Sequence, residues 1–99
     1  MKLIQKNLLK GTQEFEILDD EVRVRIKAPF KSKELSVPLA ILNPQPEIKG
    51  SYLHFHSRVK CGPLLSLYLN KPNAEDFNAF VDAVKEKALK EFNAFSGLE

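Results

Sequence analysis

The C-terminal quarter of the chain contains a continuous apolar stripe with the period of an α-helix. Asn73 is a good N-terminal cap, and Glu75 and Asp76 follow it at the positive end of the helix dipole. Beyond them, apolar residues recur at spacings of three, four and seven: Phe77, Phe80, Val81, Val84, Ala88, Phe92 and Phe95. Gly97 can end the helix. The stripe predicts a helix over residues 73–96, with one face that covers a sheet.

Residues 13–70 have the two-residue period of β-strands instead. On both sides of an acidic loop, residues 18–21, apolar and charged residues alternate, which predicts a hairpin with one buried and one charged face. A two-residue turn here would lack its usual glycine or asparagine, so we expect Ile17 to pair with Val22 across a four-residue loop. This register makes two charge pairs, Glu16 with Arg23 and Glu14 with Arg25.

Three further strands are predicted, over residues 34–42, 51–57 and 64–70. Pro38 cannot donate a hydrogen bond to a neighbouring strand, so its strand is an edge or has a bulge there. The strand over 64–70 is apolar at nearly every residue, which predicts a central position. The side chains expected to face the core in the first two are Leu35, Val37, Leu39, Ile41, Leu53 and Phe55.

Residues 1–12 form an N-terminal extension whose pattern fits two structures. Leu3, Ile4 and Leu8 lie on one side of a helical wheel and Gly11 could end a helix, although the segment could also be an edge strand. We expect a short helix. Because lysines alternate with these apolar residues, such a helix could lie on an anionic membrane, or it could pack on the domain.

Composition limits the class of protein further. The 99 residues are enough for one domain, and the single cysteine excludes a disulfide-stapled secreted fold. The longest apolar run is too short to cross a bilayer, and the N-terminus lacks the pattern of a signal peptide. Because the lone Cys61 fits a reducing interior, a cytoplasmic location is expected. The net charge of +2 conceals an uneven distribution, because residues 1–70 have eleven bases and seven acids whereas the helical segment is acidic. We predict an α+β domain, with a bent antiparallel sheet or split barrel and one long C-terminal helix.

The order of these elements resembles the pleckstrin-homology-like fold, in which a bent sheet forms a split barrel and the final helix plugs one open end. Residues 15–25 and 35–41 are similar to the first hairpin and the isoleucine-proline strand of small bacterial members. Residues 67–88 are similar to their last strand and helix, without the tryptophan of eukaryotic members. The resemblance implies seven strands, whereas five are readable, so residues 2–9 or 47–49 would supply others.

The clearest candidate site is a run of five bases with no acid between Glu21 and Glu34: Arg23, Arg25, Lys27, Lys31 and Lys33. Alternation places the first three on one exposed face, where they could bind the phosphates of anionic lipid headgroups. Phosphoinositide-binding relatives have a similar Arg-x-Arg pair, although the acidic loop before it here would repel such a headgroup. In the alternative, the arginines pair with Glu14 and Glu16 across strands.

A second candidate site contains two histidines. His54 and His56 project from the same face of one predicted strand, as two ligands of a metal ion would. Cys61 lies five residues further on and could fold back towards them, act as a reactive thiol beside Lys60, or fill apolar space. No catalytic triad, carboxylate pair or glycine-rich phosphate loop is readable, so we predict neither enzymatic activity nor a cofactor.

These observations favour a non-enzymatic binding or interaction module of a bacterial cytoplasm. We expect its partner to be a protein, bound at the edge strand around Pro38 or at the face of His54 and His56, with self-association by edge pairing as one form. Peripheral binding to anionic lipid through the five bases is the alternative, and a metal-dependent enzyme is a second one. Solvent-facing aromatic residues are few on the basic sheet, with Tyr52 and Tyr68 the best candidates, which argues against nucleic acid.

Overall fold

The structure is a computed structural model that describes residues 1–7 and 9–96, without the side chains of residues 92 and 94–96. Four strands form an antiparallel meander: β1 Lys2–Asn7, β2 Gly11–Ile17, β3 Glu21–Lys27 and β4 Ser32–Pro38. Three form a second meander: β5 Glu47–Lys49, β6 Tyr52–His56 and β7 Pro63–Tyr68. A 3-10 turn, Leu39–Ile41, separates the sheets, and helix α1, Ala74–Ser96, follows them. The predicted α+β class is confirmed, with two sheets that are not closed into a barrel.

The helix has the cap and the buried face that the sequence predicts. Oδ1 of Asn73 accepts a hydrogen bond from the backbone N–H of Asp76 at 2.8 Å, which satisfies one of the free donors of the first turn. The buried stripe residues are Phe77, Phe80, Val81, Val84 and Ala88. Of the other stripe positions, the Phe92 and Phe95 side chains and the stop at Gly97 lie outside the described part of the chain. The helix packs on β1 and on the 3-10 turn.

The first predicted hairpin has the expected register. Ile17 pairs with Val22, and the loop closes with a 2.9 Å hydrogen bond from the N–H of Leu18 to the carbonyl of Glu21. Apolar side chains from β2 and β3 therefore share the core face, while their charged residues share the opposite face. The face of the sheet on which a side chain lies decides whether it packs in the core or is accessible to a ligand.

The helix expected at the N-terminus is wrong, because this segment is the edge strand β1. Leu3 and Gln5 are buried whereas Ile4 is exposed, which is the two-residue alternation of a strand. A buried glutamine reads as polar in the sequence, so the alternation was not visible. Leu8 lies outside the described residues. Gly11 begins β2 instead of ending a helix, and a Cβ there would lie 2.0 Å from the carbonyl oxygen of Lys27.

Two details of the predicted strands also differ. β4 ends at Pro38, and Leu39 starts the 3-10 turn, where its N–H donates to the carbonyl of Asp20 at 2.9 Å. Ile41 is in that turn and Leu35 is 40% exposed, so the predicted inward row is only partly buried. β7 is an edge of its sheet and β6 is central. β7 looked central because Leu64 and Leu69 pack partly on the core in addition to its two buried leucines.

One buried side chain joins the two sheets at the edges of β1 and β7. Nε2 of Gln5 donates to the carbonyls of Tyr68 at 2.8 Å and Lys71 at 3.0 Å. Its Oε1 accepts from the N–H of Tyr68 and from Nε2 of Gln13, both at 2.9 Å. The amide of Gln5 thus takes the place of a neighbouring strand for Tyr68, and it satisfies an edge that would otherwise be open.

In the part of the chain that is described, α1 is not apolar enough to span a bilayer.

Candidate binding surfaces

The two arginines of the basic run are tied to carboxylates on the outer face of the four-stranded sheet. Nη1 of Arg25 lies 2.9 Å from Glu14 and 3.4 Å from Glu16, and Nε of the same side chain lies 3.7 Å from Glu34. Arg23 pairs with Glu34 at 3.6 Å and also with an acid of its own strand. Acids on β2 and β4 therefore flank β3. The predicted pair of Glu14 with Arg25 is confirmed, whereas Glu16, although opposite Arg23 in the register, contacts Arg25. An anionic ligand that binds these arginines would have to displace the paired carboxylates. Its own interaction with the arginines would therefore have to exceed the energy of the ion pairs that are lost.

The three lysines of the run occupy one end of the same sheet. Lys27 ends β3, Lys31 is in the turn that follows, and Lys33 is in β4. All three are exposed, and among the described residues none of them has an ion-pair partner. The register places Lys33 opposite Ile26, on the other face from Lys27. A shallow cleft of about 230 Å³ lies between these strand ends, lined partly by Lys27 and Lys33. The five predicted bases are thus two neutralised arginines and three available lysines.

A rigid turn beside these lysines holds an aromatic side chain in solvent. Ala28 and Lys31 exchange backbone hydrogen bonds at 2.8 and 3.4 Å, which closes the turn between β3 and β4. Pro29 restricts the backbone at the second position of the turn. Phe30 follows it, and its side chain is 98% exposed. A fully exposed phenylalanine contributes no hydrophobic burial to the stability of the fold. Phe30 is therefore a candidate for contact with a binding partner.

A second apolar tip lies at the same end of the sheet. The turn between β1 and β2 is held by Oδ1 of Asn7, which accepts from the N–H groups of Leu9 and Lys10 at 2.8 and 2.9 Å. Leu9 is 89% exposed. In a meander, the first and third turns lie at the same end, and the tight approach of Gly11 to the backbone of Lys27 places them side by side. We call this end the loop surface, made of Leu9, Lys27, Phe30, Lys31 and Lys33.

The two histidines lie on the outer face of the three-stranded sheet, as predicted. Nδ1 of His54 is 2.8 Å from Oγ of Ser66, and Nε2 of His56 is 3.3 Å from Oε1 of Glu47. Although it lies this close to Glu47, Nε2 of His56 makes no hydrogen bond of acceptable geometry with any described residue, and it is shielded from solvent. The ring centroids of the two histidines are 6.0 Å apart. Within the described part of the chain, no three groups of the metal-ligating types come together, and Cys61 is exposed in its loop.

The sequence did not indicate the loop surface as a unit. Its lysines belong to the basic run, whereas Phe30 and Leu9 are single apolar residues in turns, which are common and give no signal by themselves. The useful signal was present as a proline followed by phenylalanine between two lysines, Lys27 and Lys31. Its meaning depended on the turn geometry, which the sequence pattern does not specify.

Comparisons with protein-family models, with curated proteins and with solved structures find no match for this chain.

Proposed function

We propose that the protein is a non-enzymatic module of pleckstrin-homology-like type that binds peripherally to anionic membranes through the loop surface. The likeness is supported by the element order, four strands, three strands and a final helix, which gives the seven strands that the resemblance implies. The two strands not read directly from the sequence are β1 and β5, Lys2–Asn7 and Glu47–Lys49. Both lie in the segments that the resemblance required to supply them.

The observation that carries the membrane proposal is the exposed Phe30 between lysines on a rigid turn. Insertion of this ring into the boundary between headgroups and acyl chains would recover about 2 kcal/mol of hydrophobic free energy. Leu9 on the adjacent turn would add to the same insertion. Because both turns are held by their own hydrogen bonds, little further ordering is needed when they meet a surface.

The lysines of the loop surface supply the electrostatic part of the binding. Each lysine close to an anionic leaflet contributes about 1 kcal/mol, and this attraction decreases with salt. Among the residues that the structure describes, Lys27, Lys31 and Lys33 have no ion-pair partner, in contrast to the arginines of β3. The proposed lipid contact therefore lies at the end of the sheet and not in the middle of β3.

Edge-strand association is less well supported by the same structure. β4 is an exposed edge, but Lys33, Glu34 and Pro38 lie along it. Charged residues and proline on an edge are the usual protection against pairing with another strand. Pairing of β4 with a strand of a protein partner is therefore less well supported than membrane binding through the loop surface.

Replacement of Phe30 by serine is expected to weaken binding to vesicles that contain phosphatidylglycerol by about 10- to 30-fold, because the inserting ring is lost. The fold should not change, since the side chain has almost no contact with the rest of the protein. Co-sedimentation with sucrose-loaded vesicles at low salt measures the partition coefficient.

Lys31→Glu together with Lys33→Glu should reduce the same partition coefficient at least 10-fold, because two positive charges beside the anionic surface become negative.

Leu89→Ser is the matched control, because Leu89 is also exposed but lies on α1. Nζ of Lys87 on the same helix donates to the carbonyls of Leu18 and Asp19, both at 3.3 Å, in the loop at the other end of the sheet. This control should bind vesicles like the unaltered protein. Binding that is equal for phosphatidylcholine alone, or that Phe30→Ser leaves unchanged, would exclude the loop surface as the membrane contact.

A further inference from the structure

Four aromatic rings form a continuous row on the outer face of the three-stranded sheet. In order they are Tyr68, Tyr52, His54 and His56, with successive ring centroids 5.4, 5.8 and 6.0 Å apart. All four side chains are half-buried, so part of each ring remains accessible. We call this set the aromatic row. It lies on the opposite face of the sheet from the core.

The strand pairing explains why these rings share one face. Leu53 and Phe55 of β6 point into the core, so the residues that alternate with them point outward. Tyr52 is directly opposite Tyr68 on β7, and His54 is opposite Ser66. The contact of Nδ1 of His54 with Oγ of Ser66 restrains the middle of the row. The row is therefore an ordered feature of the sheet.

The surroundings of the aromatic row are basic at the tyrosine end. Nζ of Lys10 lies 3.3 Å from Oη of Tyr52 and 6.0 Å from the centre of its ring. The hydrogen bond to Tyr52 raises the pKa of Lys10, whose ammonium group is charged at neutral pH with or without this contact. Lys49 on β5 is directly opposite Tyr52 in the register. Two cations therefore lie beside the same tyrosine.

The segment that contains the three-stranded sheet is also poor in acids. Between Leu35 and Ala74 the sequence has one acid, Glu47, against four bases: Lys49, Arg58, Lys60 and Lys71. Glu47 is opposite His54 in the register and its carboxylate lies 3.3 Å from Nε2 of His56, so the acid is at the histidine end of the row, away from Lys10. The charge thus favours an anionic partner along the tyrosine end, and it favours a polyanion over a neutral peptide.

We propose that the aromatic row binds a short single-stranded segment of nucleic acid. Its bases would stack on Tyr52, Tyr68 and His54, and its phosphates would lie near Lys10 and Lys49. Stacking on aromatic side chains beside a basic strip is the general basis of sequence-tolerant single-strand binding. The sequence argues against this partner because solvent-facing aromatic residues are few; the structure brings the histidines and Lys10 to the same surface as Tyr52 and Tyr68. This site is distinct from the loop surface and does not depend on the membrane proposal.

The test uses fluorescence anisotropy of labelled oligouridylate and oligothymidylate at low salt, with the complete chain. Tyr52→Ala should lower the affinity about 10-fold, and Tyr52→Phe, which keeps the ring, should lower it less than about 3-fold. Lys49→Glu should also weaken binding. Because Lys49 is exposed, this substitution should leave the fold intact, so the loss would come from the charge. Lys10→Gln should reduce the slope of the logarithm of the affinity against the logarithm of the salt concentration by about one, because one phosphate contact is lost.

Phe30→Ser is the matched control, because it alters the loop surface and should leave oligonucleotide affinity unchanged. Oligouridylate and oligothymidylate distinguish RNA from DNA, and binding of either supports the proposal. Absence of binding by both, equal binding by the unaltered protein and Tyr52→Ala, or tighter binding of a proline-rich peptide than of either oligonucleotide would overturn it. The last result would assign the rings to a peptide groove.

Discussion

Replacement of Phe80 by alanine is expected to lower the free energy of unfolding by about 4 kcal/mol. The side chain is completely buried on α1, and its ring centroid is 6.3 Å from that of Phe15 on β2, at an interplanar angle of 55°. Removal of the ring loses its hydrophobic burial and leaves a cavity between helix and sheet that the neighbours fill only in part. Urea unfolding followed by far-ultraviolet circular dichroism measures the change.

Phe30→Ala is the control for this experiment, because the same chemical change at an exposed position should alter the stability by less than about 0.5 kcal/mol. A loss below about 1 kcal/mol in Phe80→Ala would contradict the packing of α1 on the four-stranded sheet. The denaturant slope should be unchanged within error if both variants unfold in two states.

The parts of the fold that were predictable are those in which neighbouring residues decide the structure. The helix was readable because its cap at Asn73 and its stripe through Phe80 agree over several turns. The first hairpin was readable down to its register, because the core face shared by Phe15 and Val24 restricts the pairing and the residues of the acidic loop favour a four-residue connection. In both cases the residues that decide lie within the element or at its end.

The parts that were missed depend on contacts distant in sequence. β1 was read as a helix because Gln5, a core residue, is polar. β7 was expected to be central because it is apolar at nearly every residue, whereas it is an edge strand and the side chain of Gln5 covers that edge at Tyr68. The contact of Gln5 with Tyr68 spans more than sixty residues. No periodicity within either segment could have indicated it.

The candidate surfaces show the same division. The pairing of Arg25 with Glu14 followed from the hairpin register, because the two residues are directly opposite each other. The contact of Lys10 with Tyr52 joins a turn of the first sheet to a strand of the second. Charge patterning along the chain could find the cations, but only the relative position of the sheets tells which of them remain free for a ligand.

Replacement of Gln5 by leucine is expected to destabilise the protein by about 3 kcal/mol, although it introduces a more apolar residue into a buried position. Leucine cannot donate to the carbonyls of Tyr68 and Lys71 or accept from the N–H of Tyr68. Each buried polar group left without a partner costs about 1–3 kcal/mol, which exceeds the hydrophobic gain of one side chain. Urea unfolding gives the total effect.

Amide hydrogen exchange shows whether the loss arises at the joint between the sheets. In Gln5→Leu the amide of Tyr68 should exchange faster relative to that of Val24, which lies on the central strand β3 of the first sheet and is paired with Phe15. Gln45→Leu, an exposed position, should change the stability by less than about 0.5 kcal/mol. Equal exchange of the two amides in Gln5→Leu, or a stability like that of Gln45→Leu, would mean that backbone contacts hold the sheets together without the glutamine. β1 and β7 share no ladder of their own, so the side chain of Gln5 joins their edges, beside a longer hydrogen bond of 3.3 Å from Nε2 of Gln13 to the carbonyl of Ser66.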